Sequence, residues 1–175
     1  MIVYKSIFIK IQYFYGCFML VAIISDTHDN LEKLTKAIDM INSQNVDYCF
    51  HLGDICSPFA AKLLNTLKMP YAGVFGNNDG EWIGIKRITN NRFFKPPHYM
   101  KVSEYSFVLL HEGDIAEYID KSIDFVFFGH THEPYVKTKD NQLIVNPGTL
   151  SGYVSGKATF ALIDTETKQC KIVEI

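Results

Sequence analysis

The stretch VAIISDTHDN, Val21 to Asn30, runs an apolar segment straight into an aspartate and a histidine two positions apart. A buried strand that ends in ionisable groups is costly unless those groups meet a partner. The arrangement recurs along the chain. YCFHLGD closes on Asp54, GVFGNND on Asn77, Asn78 and Asp79, FVLLHEGD on His111, and FVFFGHTH on His130 and His132. In open α/β sheets, ligands bind beyond the carboxyl ends of the strands. Strands with these endings are therefore expected to lie side by side, with their polar ends gathered at one place.

The segments between these endings read as an α/β chain. LVAII is a buried strand, and NLEKLTKAIDMINSQ sets Leu31, Leu34, Ile38 and Ile41 at helical spacing. VDYCFHL and YAGVF are two further strands. Between them Ser57 and Pro58 mark a helix start, with Phe59, Leu63 and Leu67 on one face. This βαβαβ order predicts a mainly parallel sheet covered by helices. The second half is richer in β. HYMKVS and YSFVLL form a hairpin around Glu104, and IDFVFF, PYVKTK, QLIVNP, ATFALID and QCKIVEI follow as strands. KDNQ and DTETK are their turns. The stretch EWIGIKRITNNRFFKPPHY reads as a substrate loop, in which Trp82 and Arg87 are candidates to touch substrate, with core packing for Trp82 and a solvated charge for Arg87 as the ordinary readings. The expected architecture is α/β, a four-layer α/β/β/α sandwich of two mixed sheets packed together with helices outside.

A chain of 175 residues, 47% apolar and 14% aromatic, suits one globular domain. Residues 1–18 are apolar and aromatic, but Lys10 and Gln12 interrupt the run and no small-residue cleavage site follows. Asp26 and His28 stand at the end of the longer apolar stretch, which argues against a membrane span. The division expected is an N-terminal extension over 1–18, arising from an upstream start, and a domain over 19–175 that begins at Met19. A formal net charge of −2 without a basic run argues against stable nucleic-acid binding. Cys17, Cys49, Cys56 and Cys170 lack metal-site spacing and fit free thiols in a reducing cytoplasm.

Singly, each polar motif has an ordinary explanation as a turn, a cap or a structural histidine. Together, in this order, they point to a metal site. In an extended chain residues two apart point the same way, so Asp26 and His28 reach one point, as do His130 and His132. Asp26, Asp54, Asn77, His28, His111, His130 and His132 offer oxygen and imidazole but no thiolate. That set suits Mn, Fe, Co, Ni or Zn outside a cysteine-based structural site. The donors exceed what one ion needs, whereas two ions sharing a carboxylate use them all. Two ions about 3.5–4 Å apart are the usual clamp for displacement at phosphorus.

The ordered set D-x-H, G-D, G-N-x-D, H and G-H-x-H resembles the calcineurin-like metallophosphoesterases. With the NPGTLSGY tail, it is similar to their small single-domain bacterial and archaeal phosphodiesterases. The resemblance spans Met19 to about Ile175 and implies a β-sandwich flanked by helices. It implies one metal held by Asp26, His28, Asp54 and His132, and another by Asp54, Asn77, His111 and His130, with Asp54 bridging. Manganese is the expected ion, with nickel, iron, cobalt or zinc as alternatives. The implied reaction is attack by a metal-bridging water or hydroxide on a small phosphodiester. Asp79 would fix the turn that holds Asn77. Asn78 replaces the histidine of G-N-H-D, so it can donate a hydrogen bond to substrate but cannot act as a general acid near neutral pH. Asp29 stands where relatives have glycine, and HEGD where many have HGH. A phosphomonoesterase, or a non-catalytic protein-binding scaffold like the retromer subunit of this fold, is the alternative. A homodimer or higher homo-oligomer is open to such a chain.

Overall fold

A computed structural model describes residues 18–154 and 156–175. Most of the expected extension, with Cys17, lies outside the described residues.

The chain alternates strands and helices as far as residue 94. β1 (Leu20–Ile24), β2 (Tyr48–His51), β3 (Tyr71–Val74) and the two-residue β4 (Phe93–Phe94) run parallel. They are joined through α1 (Leu31–Asn42), α2 (Pro58–Leu63) and α3 (Trp82–Ile88). β10 (Thr159–Asp164) pairs antiparallel with β1, and β11 (Cys170–Glu174) closes that edge. This first sheet has the order β11-β10-β1-β2-β3-β4. The second sheet has the order β5-β6-β7-β9-β8. It contains β5 (His98–Val102), β6 (Tyr105–Leu109), β7 (Phe125–Phe127), β8 (Pro134–Lys139) and β9 (Gln142–Pro147). β6, β7 and β9 are parallel, and hairpins add β5 and β8 antiparallel at the two edges.

Between the sheets lies an apolar core. Alternate residues Val21 and Ile23 of β1 meet Phe107 and Leu109 of β6 and Phe125 and Phe127 of β7. The opposite face of the first sheet, with Ala22, Ile24 and Cys49, carries the helices through Leu34, Ile38 and Ile41 of α1 and Ile85 of α3. The outer face of the second sheet is covered more thinly. A single 3-10 turn, Ala116–Tyr118, and its flanks place Ala116 and Ile119 over Val108, Val126 and Ile144. Both sheets are therefore mixed and packed together as expected, while the layer outside the second sheet is a 3-10 turn rather than an α-helix.

α1 begins where Asn30 accepts a hydrogen bond from Lys33 N at 3.1 Å. Its buried stripe is Leu34, Ala37, Ile38 and Ile41, so three of the four expected positions are buried, while Leu31, in the first turn, is exposed. α2 begins at the expected cap, Ser57, and Leu63 and Leu67 pack partly buried against the core as expected, but Phe59 does not join them. Ala60 and Ala61 face the core, followed by Leu64, while Phe59 is 80% exposed. The small side chains take the contact side, and the aromatic ring is turned to solvent. The stretch read as a loop instead contains α3 and β4. Cys49, Cys56 and Cys170 are free thiols. Among the described residues no helix is long and apolar enough to cross a membrane.

Candidate metal centre

β1, β2 and β3 are neighbours in one sheet, and β6 and β7 in the other. All five polar motifs follow these strands directly, and the loops are hydrogen-bonded together. Asp26 N donates to Gly53 O at 3.0 Å, His28 N to Asp54 O at 2.9 Å, and Gly129 N to His111 O at 2.9 Å.

The backbone at these positions is not extended. Asp26, His28, Asp54, His130 and His132 all have positive φ, between 45° and 67°. Side chains other than glycine rarely occupy this region, and strain there clusters at functional sites. The convergence expected of Asp26 with His28 is present, but left-handed turns produce it. The same turns separate His130 from His132, which were expected to reach one point. His132 joins Asp26 and His28, whereas His130 faces Asn77.

The first group of donors is Asp26, His28 and His132. The Nε2 atoms of the two histidines stand 3.1 Å apart. His132 Nε2 is 3.3 Å from Asp26 Oδ1, and His28 Nε2 is 3.9 Å from the same oxygen. The second group centres on Asn77 Oδ1, which lies 2.8 Å from His111 Nε2 and 3.0 Å from His130 Nδ1. Asp54 Oδ2 stands between the groups, 3.7 Å from His28 Nε2 and 3.4 Å from His111 Nε2. Ligand atoms of Asp26, His28 and His132 lie within 4.8 Å of one another, as do those of Asp26, Asp54 and His111.

This donor set fits cations. Asp26 Oδ1 is buried and, among the described residues, is the one such side-chain oxygen or nitrogen without a hydrogen-bond partner. Burying such an oxygen bare costs on the order of several kcal/mol. One proton shared between His28 and His132 leaves that oxygen unsatisfied, whereas a cation among the three satisfies all. His111 is oriented for the same task. Its Nδ1 donates to the carbonyl of Leu52 at 2.8 Å, which leaves Nε2 aimed at two oxygens.

Neighbouring groups hold the donors in place. Ser25 Oγ and His130 N both donate to Asp26 Oδ2. Thr149 Oγ1 and Ser151 N donate to the Asp26 carbonyl at 2.8 and 3.0 Å. Asn78 donates twice to Asp54, from its backbone N to Oδ1 at 2.8 Å and from its side-chain amide to Oδ2 at 2.7 Å. The buried Asp79 carboxylate accepts from Gly76 N at 2.7 Å, Cys56 N at 2.7 Å and Asp54 N at 3.0 Å. One side chain thus ties the loop after β2 to the loop carrying Asn77. Asp29 accepts from Ser57 Oγ at 2.6 Å, so its charge is engaged at the start of α2. Gly53, at φ +101°, has no room for a side chain, since a Cβ would lie 2.6 Å from His111 Nδ1.

The electrostatics follow from burial and these bonds. Burial pushes the Asp26 carboxyl up, against the Ser25 hydroxyl, the charges of His111 and His132 and the His130 N–H. Burial also opposes the charge on Asp54, but hydrogen bonds from His111 and Asn78 outweigh it and hold the pKa well below the carboxylate range. His111 is pushed down by burial and more strongly up by its bonds to Asp54 and the Leu52 carbonyl. Asp54 and His111 thus favour opposite charges on each other.

Ser25, Asn146 and Thr149 were not singled out from the sequence. Asn146 Nδ2 donates to Gly129 O at 2.8 Å and to Thr131 Oγ1 at 3.0 Å, bracing the loop of His130 and His132. The available signal was a sixth apolar run with a polar ending, QLIVNPGT, after β9. His51, another uncredited histidine, is structural. Its Nδ1 accepts from Gly53 N at 3.2 Å, so Nε2 carries the proton and donates to Thr27 Oγ1 at 2.8 Å.

Carboxylates and imidazoles gathered on strand-end loops across two packed sheets are the architecture of a metal-dependent hydrolase. The model of the calcineurin-like phosphoesterase superfamily domain matches residues 19–168, and the chain belongs to that superfamily of phosphoester hydrolases, which works with divalent metals. A phosphodiesterase of Methanocaldococcus jannaschii is 34% identical over 159 residues, covering 86% of this chain and 96% of the relative. The solved structure of an archaeal phosphodiesterase superposes with a TM-score of 0.82 at 33% identity, over 90% of this chain and 100% of that one. Vps29 from Entamoeba histolytica shares the fold at a TM-score of 0.64 and 18% identity, over 90% of this chain and 99% of its own.

Proposed function

We propose that the chain is a phosphodiesterase acting on small phosphodiesters with two divalent ions. Asp26, His28, Asp54 and His132 would hold one ion, and Asp54, Asn77, His111 and His130 the other, with Asp54 shared. Manganese is the expected ion, and nickel, iron, cobalt or zinc suit the same donors. The observation that carries the reading is the partnerless buried Asp26 Oδ1 facing two imidazole nitrogens 3.1 Å apart.

When bound, such ions acidify water and offset charge on the phosphate. The residues do the rest. The Nδ1 bond of His111 to Leu52 keeps Nε2 available and the ring fixed. Asp79 sets the spacing between Asp54 and Asn77 through its three backbone partners. Asn78 supplies an amide donor at the centre. In binding substrate it would exchange its bond to Asp54 for one to a phosphate oxygen. No imidazole stands at position 78 to protonate a leaving oxygen. The identity and coverage of the archaeal phosphodiesterase support diesters as the substrate class. The free thiols support a cytoplasmic setting, and the net charge of −2 supports a small substrate over nucleic acid.

The test is hydrolysis of bis-p-nitrophenyl phosphate after chelation and addition of each divalent ion in turn. Activity should return with metal, and Asp54→Asn and His111→Ala should each abolish it. No hydrolysis with any ion overturns the reading. Near-normal activity in His111→Ala overturns the second metal position.

A further inference from the structure

A cleft of about 420 Å³ opens beside the Asn77 and His111 side of the centre. Its walls come from the segment after β3, the segment after β4 and the loop after β6, and Trp82, Lys95, Pro96 and Pro97 belong to the stretch read as a substrate loop. Trp82, at the start of α3, forms one wall with Phe75, and Leu110 and Ile115 contribute to the lining. The indole lies parallel to Phe75, with ring centroids 4.4 Å apart and an interplanar angle of 9°. Phe75 is fully buried behind it, while Trp82 remains 39% exposed. Ile115 is also exposed.

We propose that this cleft receives an ester group of the substrate, and that the group it takes is an uncharged, planar aromatic one packed against Trp82. This rests on the phosphodiesterase reading, since it places the phosphate at the centre beside Asn77 and His111. Three observations select the group. The lining that meets it is aromatic and aliphatic, so a polar chain would lose hydration without recovering hydrogen bonds. The indole is held flat by Phe75, so it offers a rigid surface that needs no ordering on binding. The charged lining consists of Lys95 against Glu112 and Asp114, a negative balance that disfavours a second phosphate on the ester group. The volume lies near the lower end of small-molecule sites and suits one ring system better than a long chain.

The chain contains a single tryptophan, so Trp82 reports on its own contact. The probes are phenylphosphonate and methylphosphonate, which share the phosphorus group, resist hydrolysis at the carbon–phosphorus bond and differ in the ring. With the metal-loaded protein, phenylphosphonate should inhibit bis-p-nitrophenyl phosphate hydrolysis about five- to tenfold more tightly than methylphosphonate. It should also change Trp82 emission saturably at the same concentrations, while methylphosphonate leaves the emission unaltered. Trp82→Ala should bring the ratio of the two inhibition constants towards one. Ile115→Asp, at an exposed position that tolerates a charge, should reduce the same ratio without touching the indole. Equal inhibition by the two phosphonates, with Trp82 emission indifferent to the ring, overturns the cleft assignment and leaves the phosphodiesterase standing. If no metal restores hydrolysis, the phosphodiesterase reading fails instead, and the emission titration still decides whether the ring binds at Trp82.

Discussion

Asp79 is the residue whose removal should be felt in both stability and metal binding. It is buried, and its two carboxylate oxygens accept three backbone N–H groups, two at Oδ2 and one at Oδ1. Burial pushes its pKa up, and backbone bonds from Gly76 and Cys56 pull it back, with the charge on Asp54 adding to the rise. The balance falls on the raised side, yet every partner is a donor, so the ionised form is the one the loops are shaped around. Asp79→Ala removes all three bonds and leaves three donors to find water in a crowded site. At about 1–1.5 kcal/mol net for each bond, the loss should be about 3–5 kcal/mol. Asp79→Asn keeps one oxygen, which can serve Asp54 N and Gly76 N, but turns its NH2 towards Cys56 N–H. One bond is lost and one donor faces another, for about 2 kcal/mol. The assay is urea unfolding followed by Trp82 fluorescence, in chelator so that metal does not contribute to the measured stability. Metal affinity, measured separately by calorimetry, should fall about 10–100-fold in Asp79→Ala because the loops of Asp54 and Asn77 lose their shared anchor. A loss below about 1 kcal/mol for Asp79→Ala would show that the loops hold their shape without it.

Three further outcomes are expected. With no imidazole at position 78, p-nitrophenyl diesters should be hydrolysed much faster than alkyl diesters of similar size. Asn78→His should raise the rate on poor leaving groups by about 10²-fold, and equal leaving-group slopes in the two proteins would refute this. His51 is buried and neutral, its pKa pushed down to about 3 from 6.5, chiefly by burial. Its folded value lies below its unfolded one, so its contribution is complete above about pH 6.5 and is lost as pH falls towards 3. Urea midpoints in chelator should drop over that range, and His51→Gln should flatten the drop; an unchanged acid slope would assign the loss elsewhere. A chain starting at Met19 should unfold within about 1 kcal/mol of the full chain. Its first residue is already tied to Thr165 through N, at 3.0 Å to Oγ1, and through its carbonyl. A loss of several kcal/mol on truncation would mean that residues 1–18 form a packed element.

The strands were legible because each is an apolar run bounded by turn residues. β1, for example, occupies the expected LVAII, and β9 the expected QLIVNP. α1 was legible because Leu34, Ile38 and Ile41 share one face whatever they pack against. α3 and β4 were not. α3 is seven residues long with Ile85 as its one buried side chain, which leaves no periodic stripe to read. β4 is two residues, and it is a strand because Gly73 and Val74 of β3 lie beside it. Phe59 was misplaced as well. Leu63 and Leu67 of the same stripe do meet the core, but Phe59, in the first turn of α2, stands clear of it while the small Ala60 and Ala61 are buried.

The sequence by itself determined which donors exist and that each leaves a strand end, because both are properties of local order along the chain. It also carried the family, since the motif order survives without coordinates. What only the tertiary structure decided is how the donors are shared out. His130 and His132 are two residues apart, yet they face different groups, because both have left-handed backbone and β7 is placed beside β6 across from β1. Asp54 stands between the groups because Asn78 and Asp79, from the next strand end, hold its side chain and its backbone. The cleft behind Asn77 and His111 is assembled from three segments distant in sequence, one of them a helix with no readable pattern. Contacts between distant segments depend on packing of the two sheets, and no local pattern of residues encodes them.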